Sequence, residues 1–419
     1  KACVIADATE MYRLKPGEIL ITDITDPDWE PVMKVAAGIV TNRGGRTCHA
    51  AIIARELGIP AIVGCGDATD RVKNNVPVTV SCAEGDAGFV YPGELAYKEN
   101  KIDISQLAKP KTRIMLNLAN PDIAFESSAL PVDGVGLARL EFIINNSIGV
   151  HPRALLEYDE LPAELKAEIA ELICGYQNPT DYYVQKLAEG IGMIAAAFYP
   201  RQVIVRMSDF KSNEYASLKG GQLYEPEEEN PMIGFRGAYR YYSKQFKDCF
   251  KLECRAIKLV RENMGLSNVD IMLPFVRSVE EGRTVLDTLA EFGLRRGEHN
   301  LKIFLMCEIP VNALLADQFL QDFDGFSIGS NDLTQLTLGV DRDSGLISGF
   351  DERDEAVKVL MKMAIEACNK AGKYVGICGQ APSDFPEITH WLVEQNIHSI
   401  SLNPDSVIDM TREVLKIEG

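Results

Sequence analysis

Apolar residues in this chain come in short runs, separated either by polar loops or by longer stretches with helical spacing. In the N-terminal segment the runs Ile19–Thr22, Gly38–Thr41, Ala61–Val63, Val78–Ser81 and Gly88–Val90 read as β-strands, and CVIADAT near the start has the same character. Among them, Ala50, Ala51, Ile52, Ile53, Ala54 and Leu57 recur at the spacing of one helix face. Thr47 stands where a cap for the first turn is expected, and Gly58 followed by Pro60 ends the helix. The pattern predicts a small α/β domain over 1–97. From 98 to 112 the sequence is polar with little period, and it reads as a linker on which that domain can move.

Beyond the linker the runs are Ile114–Leu118, Gly134–Ala138, Val203–Arg206, Asp270–Phe275, Ile303–Met306, Gly325–Ile328, Tyr374–Ile377 and Ser399–Leu402. Eight strands alternating with helical stretches such as Glu352–Ala371 predict a closed parallel (β/α)8 TIM barrel over 113–419 rather than an open sheet. Between the second and third runs, about 145–201 is helical and longer than one crossover needs. It is expected to form a lobe or a dimer surface.

Composition narrows the setting. The 419 residues are 46% hydrophobic and 25% charged, a globular balance with room for two domains. With 43 basic against 61 acidic residues the net charge is −18, which argues against nucleic acid as a partner while leaving local arginine clusters free to hold a small anion. Ten cysteines without CxxC pairs read as reduced thiols of a cytoplasmic protein rather than disulfides or zinc ligands. No run approaches the roughly 18 apolar residues of a membrane helix, and KACVIADATEMYRLKPGE is not a signal peptide. Lys1 in place of methionine suggests a piece of a longer chain.

The first candidate for chemistry is His49. It follows a Gly-rich loop and begins a helix, where unpaired N–H groups attract an anion and disfavour an imidazolium. Gly44 and Gly45 let the backbone approach a bulky anion, and Arg43 and Arg46 bring positive charge. A neutral imidazole there suits a phosphoryl carrier, and it also suits a plain polar surface residue.

In a barrel the chemistry lies at the C-terminal strand ends, and these ends are polar. Asn117 closes the first, Arg139 and Glu141 follow the second, and Arg206 ends the third. Glu308 follows the fifth; Gly329, Ser330, Asn331 and Asp332 follow the sixth; Cys378 and Gln380 follow the seventh; Asn403 follows the last. Glu308 and Asp332, on neighbouring strand ends, are placed either to share a hard cation, magnesium rather than zinc, or to pair with rim arginines. Arg139 and Arg206 offer planar paired donors to a carboxylate or phosphoryl group, and Arg236, after the loop in NPMIGFRG, is placed to join them unless it is solvated. Gly329 lets the backbone approach a ligand to which Ser330 and Asn331 add neutral donors. Cys378, between Gly376 and Gly379, is either a proton donor facing that ligand or a buried small hydrophobe.

Taken together, GGRTCHAAIIARELGIPAIVG, GVGLARLEFI, IVRMSDFKSNEY, NPMIGFRG, MCEIP, SIGSNDLTQLTLGVDRD and GICGQAP resemble the PEP-utilising enzymes over essentially the whole chain. The resemblance implies a swivelling phosphohistidine domain ahead of a PEP/pyruvate-binding barrel, with His49 as the phosphoryl carrier and Arg139 and Arg206 as substrate clamps. It implies magnesium on Glu308 and Asp332, a ligand site lined by Gly329, Ser330 and Asn331, and Cys378 as proton donor to the enolate carbon. Thr47 corresponds to a threonine phosphorylated by a regulatory kinase. The implied reaction makes PEP, AMP and phosphate from pyruvate, ATP and water; Cys48 and GICGQAP favour it over pyruvate, phosphate dikinase, whose motif reads TSHAA. Enzyme I, which passes phosphate to a protein, and a non-catalytic PEP sensor are the other readings. Nothing here resembles an ATP-grasp domain, so ATP is expected only through an N-terminal domain outside this sequence, leaving the PEP/pyruvate half-reaction. A homodimer is implied as well.

Overall fold

Period-two alternation decides what each face of the N-terminal sheet buries. The computed structural model describes residues 1–26, 29–45, 48–83, 87–98, 104, 107–341 and 349–419, apart from the side chain of Glu56. The chain forms two units, Lys1–Asp103 with Val340–Gly349, and Ile104–Gly339 with Phe350–Gly419. In the first, β1 (Ala2–Val4), β2 (Ile19–Thr22), β3 (Gly38–Thr41) and β4 (Ala61–Ile62) form a parallel sheet in that order, and β5 (Val78–Ser81) pairs antiparallel with β6 (Phe89–Pro92). Ile19, Ile21 and Val40 pack on one side with Ala68, Val78, Val80 and Val90. Leu20 and Ile39, one residue out of step, pack on the other with Trp29, Val32, Met33, Ala50 and Ala54. A parallel sheet with both faces covered is what such apolar runs favour.

In the second unit β7 (Arg113–Leu118), β8 (Gly134–Arg139), β9 (Gln202–Arg206), β10 (Val269–Leu273), β11 (Ile303–Cys307), β12 (Gly325–Ile328), β13 (Tyr374–Ile377) and β14 (Ser399–Leu402) close a parallel barrel. Closure runs from Ser399 opposite Arg113 to Leu402 opposite Leu116. The expected (β/α)8 architecture is therefore present. Leu137, Ile204, Met272, Phe304, Met306 and Cys378 pack together as a small cluster distinct from the main core. Outward residues such as Val203, Val205, Ile271 and Ile303 join that main core with residues of the surrounding helices. Each large apolar side chain buried this way contributes about 1.5–3 kcal/mol, against about 0–1 kcal/mol for an exposed ion pair, so packing holds the barrel closed.

Within 145–201 the helices differ in role. Pro179–Phe198 buries Tyr183, Leu187, Ile191 and Phe198, as a crossover helix must, whereas Ala163–Leu172 buries Ile169 alone. Between β10 and the residues that follow it the expected run also shortens. The strand stops at Leu273, and Phe275 takes φ 52°, a left-handed conformation that no strand residue can hold.

Candidate functional site

After β3 the chain turns through Gly44 into the helix His49–Leu57. Gly44 has φ 122°, and a Cβ there would lie 2.7 Å from Cys48 Sγ, so the tight turn requires glycine. Cys48 holds the capping position without a side-chain cap bond, and Gly58, at φ 68°, ends the helix as expected. Thr47, expected as the cap, lies outside the described residues, as does Arg46. Thr25, from the segment after β2, places its hydroxyl 3.2 Å from His49 Nδ1. Burial lowers the imidazole pKa, with Glu30 and Asp26 only partly opposing, so the ring is neutral at pH 7. When Nδ1–H donates to Thr25, Nε2 keeps its lone pair. Arg43, expected to bring positive charge to the loop, is paired: its Nε donates to Asp23 at 2.9 Å and its Nη2 also pairs with that carboxylate.

At the barrel mouth, charges alternate in a chain. Arg206, the last residue of β9, donates from Nη2 to Glu141 Oε1 at 2.9 Å, and its Nη1 stands 3.7 Å from Asp209 Oδ2. Asp209 accepts two bonds from Arg236, Nε to Oδ1 at 3.0 Å and Nη2 to Oδ2 at 2.6 Å. Arg236 Nη1 reaches Asp332 Oδ1 at 3.4 Å and donates to the Met232 carbonyl at 3.0 Å. Arg236 is thus not a solvated helix-start arginine: it is 3% exposed and lies over the Phe275 ring at 4.1 Å. Burial opposes charge on both Arg206 and Arg236, yet the surrounding carboxylates outweigh it and raise both pKa values. Arg139 is half-buried at the end of β8, opposite Arg206 in the register.

Glu308 is fully buried beside this chain. Its Oε1 accepts the Phe275 N–H at 2.6 Å, a bond that the left-handed turn at Phe275 makes possible, while Oε2 has no hydrogen-bond partner. Burial first, then Asp332 and Asp209, push Glu308 up to about 8 against the pull of Arg236 and Arg206. A buried oxygen without a partner among carboxylates suits a proton or a cation. Gly329 keeps the space beside it, since a Cβ would come 2.9 Å from Glu308 Cβ and 3.0 Å from Oε2.

Cys378 is 1% exposed, with Sγ 3.6 Å from the Ile328 carbonyl. Burial chiefly, with Glu308 adding, pushes it up to about 11 although Ser327, Arg206 and Arg139 oppose, so the group is a thiol that holds its proton. Ser330 and Asn331 open the helix Ser330–Leu338. The Ser330 hydroxyl lies 3.5 Å from Glu352 Oε1, and Asn331 Oδ1 accepts the Gln380 N–H at 3.0 Å. Asn403 Nδ2 donates to Gln380 Oε1 at 2.9 Å, closing a polar rim.

The structure therefore joins Arg206, Arg236 and Asp332 directly or through shared carboxylates, and sets Glu308 and Cys378 within reach of their fields. It adds Asp209, Phe275 and Thr25, which sequence reasoning passed over. Asp209 had a signal, an acid three residues after a strand-end arginine. Thr25 and Phe275 had none, because their parts depend on a loop meeting the start of a helix in the one case and another strand's end in the other.

A parallel barrel with arginines, carboxylates and a buried thiol at one mouth, accompanied by a separate α/β unit carrying a neutral histidine, defines a phosphate-handling barrel protein. Residues 96–418 match the PEP-binding domain of the PEP-utilising enzymes and residues 14–85 match their mobile domain. The chain belongs to the PEP-utilising enzyme family. It is 63% identical over 407 residues to phosphoenolpyruvate synthase of Pseudomonas aeruginosa, covering 97% of this chain and 52% of that protein. It is 62% identical to the phosphoenolpyruvate synthases of Neisseria meningitidis, over 98% of this chain and 52% of that one, and of Escherichia coli, over 97% and 51%. The chain spans about half the length of the curated relatives it matches. Among the described residues no helix is long and apolar enough to cross a membrane, and all ten cysteines are free.

Proposed function

We propose that this chain carries the PEP/pyruvate half of a pyruvate, water dikinase, exchanging a phosphoryl group between PEP and His49. The observation that supports it best is the mouth where the unpaired Glu308 Oε2 and Asp332 stand beside Arg206, Arg236 and the protonated thiol of Cys378. Glu308 and Asp332 would hold magnesium: the orphan oxygen and the crowding of carboxylates fit a hard divalent cation. Among the described residues no three His, Cys, Asp or Glu side chains gather as a metal cage, which leaves the rest of the ion's shell to substrate and water. When bound, the ion supplies positive charge against an enolate oxygen.

Starting from PEP, Arg139 and Arg206 hold the anionic groups, and Arg236 adds charge from behind Asp209. The P–O bond to the enolate oxygen breaks as a P–N bond forms at His49 Nε2, whose lone pair is free while Nδ1–H donates to Thr25. The enolate carbon then takes the Cys378 proton, giving pyruvate and a thiolate that regains a proton from water. Gly329, Ser330 and Asn331 line the ligand. The ATP-dependent whole reaction, a homodimer and control by phosphorylation of Thr47 belong to the same proposal; a phosphate on Thr47 would repel the incoming phosphoryl group.

Phosphorus-labelled PEP with magnesium should leave an acid-labile adduct on the chain that His49→Ala abolishes, and an equally labelled variant would overturn the assignment. Cys378→Ser should keep that adduct while exchange of pyruvate methyl protons with heavy water falls at least about 100-fold.

A further inference from the structure

Ser208 lies between Arg206 and Asp209, two links of the charge chain at the mouth, and each of its polar groups is claimed from outside that mouth. Its N–H and hydroxyl donate to Glu253, at 3.2 Å to Oε2 and 2.5 Å to Oε1. Its hydroxyl is 2.9 Å from the Tyr215 hydroxyl, and its carbonyl accepts the Tyr241 hydroxyl at 2.7 Å. The barrel ladder stops just before it, where the Met207 N–H bonds the Met272 carbonyl at 3.0 Å. One residue on, the Asp209 N–H goes to Glu141 Oε1 at 2.6 Å. The backbone that aims Arg206 and Asp209 is thus held by side chains, with a carboxylate gripping it on either side.

Glu253 is an unusual choice for such a grip. It comes from the helix Lys247–Lys258, is fully buried, and forms no salt bridge among the described residues. A carboxylate in that place carries a desolvation cost that a neutral acceptor avoids, and burial pushes its pKa up to about 7. Two bonds to one residue, to the backbone and to the side chain, fix the direction of the turn as well as satisfying it.

We infer that Glu253 is a positioning residue of the mouth: through Ser208 it fixes Arg206 and the Asp209–Arg236 pair in the orientation that receives a phosphoryl group, and so sets preference for a phosphorylated acid over its unphosphorylated keto form. Glu308 stands outside this grip, bonded to the Phe275 N–H, and Asp332 meets it only at the 3.4 Å contact with Arg236, so the cation that would hold the keto acid depends on it less than the arginines do. The inference rests on the mouth being the PEP site.

Calorimetric binding of PEP and of pyruvate, each with magnesium at about pH 8, tests it on the 419-residue chain. Glu253→Gln should weaken PEP about tenfold and pyruvate less than about twofold. Ser208→Ala, which keeps the backbone bond, should shift PEP about threefold in the same selective way and carries the test alone if Glu253→Gln fails to fold. Parallel loss of both ligands, or no loss of either, would overturn the inference while leaving the PEP reading intact. A wild-type chain that bound neither ligand would overturn the PEP reading and the inference with it.

Discussion

Thr25 is the hydrogen-bond partner of His49 Nδ1, and where its hydroxyl accepts the Nδ1 proton, Nε2 is left free. Its hydroxyl faces Nδ1 at 3.2 Å, and the depressed imidazole pKa keeps the ring neutral, so the tautomer rather than the charge is the variable. Thr25→Val preserves shape and removes the partner. Phosphorylation of His49 by PEP should slow about tenfold, one hydrogen bond's worth, and an unchanged quench-flow rate would show that Nδ1 needs no partner. Glu253 offers a second test, through pH. Its carboxyl holds a proton more tightly folded, at about 7, than at its ordinary 4.5, so the folded state binds more protons between those values. Its contribution to stability is whole below about pH 4.5 and is lost as pH rises through about 7, by at most about 3 kcal/mol. Glu253→Gln should flatten the decline of the urea midpoint across that window; a curve parallel to wild type would count against a raised pKa.

Among elements, the turns after β10 and β12 shape the carboxylate site. The left-handed Phe275 delivers its N–H to Glu308 and its ring to Arg236, so one strained residue serves both an anion and a cation. Across from it, Gly329 leaves Glu308 its room. Gly329→Ala should cost about 1–3 kcal/mol by chemical denaturation, because Glu308 Cβ and Met306 Cε must both give way, and should weaken magnesium binding in the same protein. A variant as stable as wild type would mean that β11 and β12 separate freely. These elements also mark how far sequence reached. The eight barrel strands were legible because parallel strands buried on both faces read as continuous apolar runs. The end of β10 was misplaced by two residues, since Pro274 and Phe275 are as apolar as the strand they leave. Candidates at strand ends were legible for the reason that a barrel presents such residues together. What binds them was not, as Ser208 to Glu253, Phe275 to Glu308 and Arg236 to Asp332 join residues 45, 33 and 96 positions apart.

At the scale of the whole molecule, the proposed function asks a chain of net charge −18 to hold an anion, and the arginines paired locally at the mouth are what would do so. A cation that binds the folded chain stabilises it by about 2.7 kcal/mol at 100 times its dissociation constant. Magnesium should therefore raise the melting temperature by several degrees, and Glu308→Gln should abolish most of the rise; an equal shift in the variant would place the ion elsewhere.

On the proposed function, the alternation of charges at the mouth would also set an order of arrival. With Glu308, at about 8, keeping its proton at neutral pH, Glu141, Asp209 and Asp332 match Arg139, Arg206 and Arg236 in number, and Asp209 already occupies two donors of Arg236. A lone anion meets no surplus of positive charge and a seated rival. A divalent cation that displaces the Glu308 proton would leave the mouth one charge positive, which favours an anion on the same arginines, and by reciprocity the anion would then tighten the cation. On the proposed function the consequence would be a gate worked by charge, with inorganic phosphate alone bound more weakly than a phosphorylated acid in the presence of the cation.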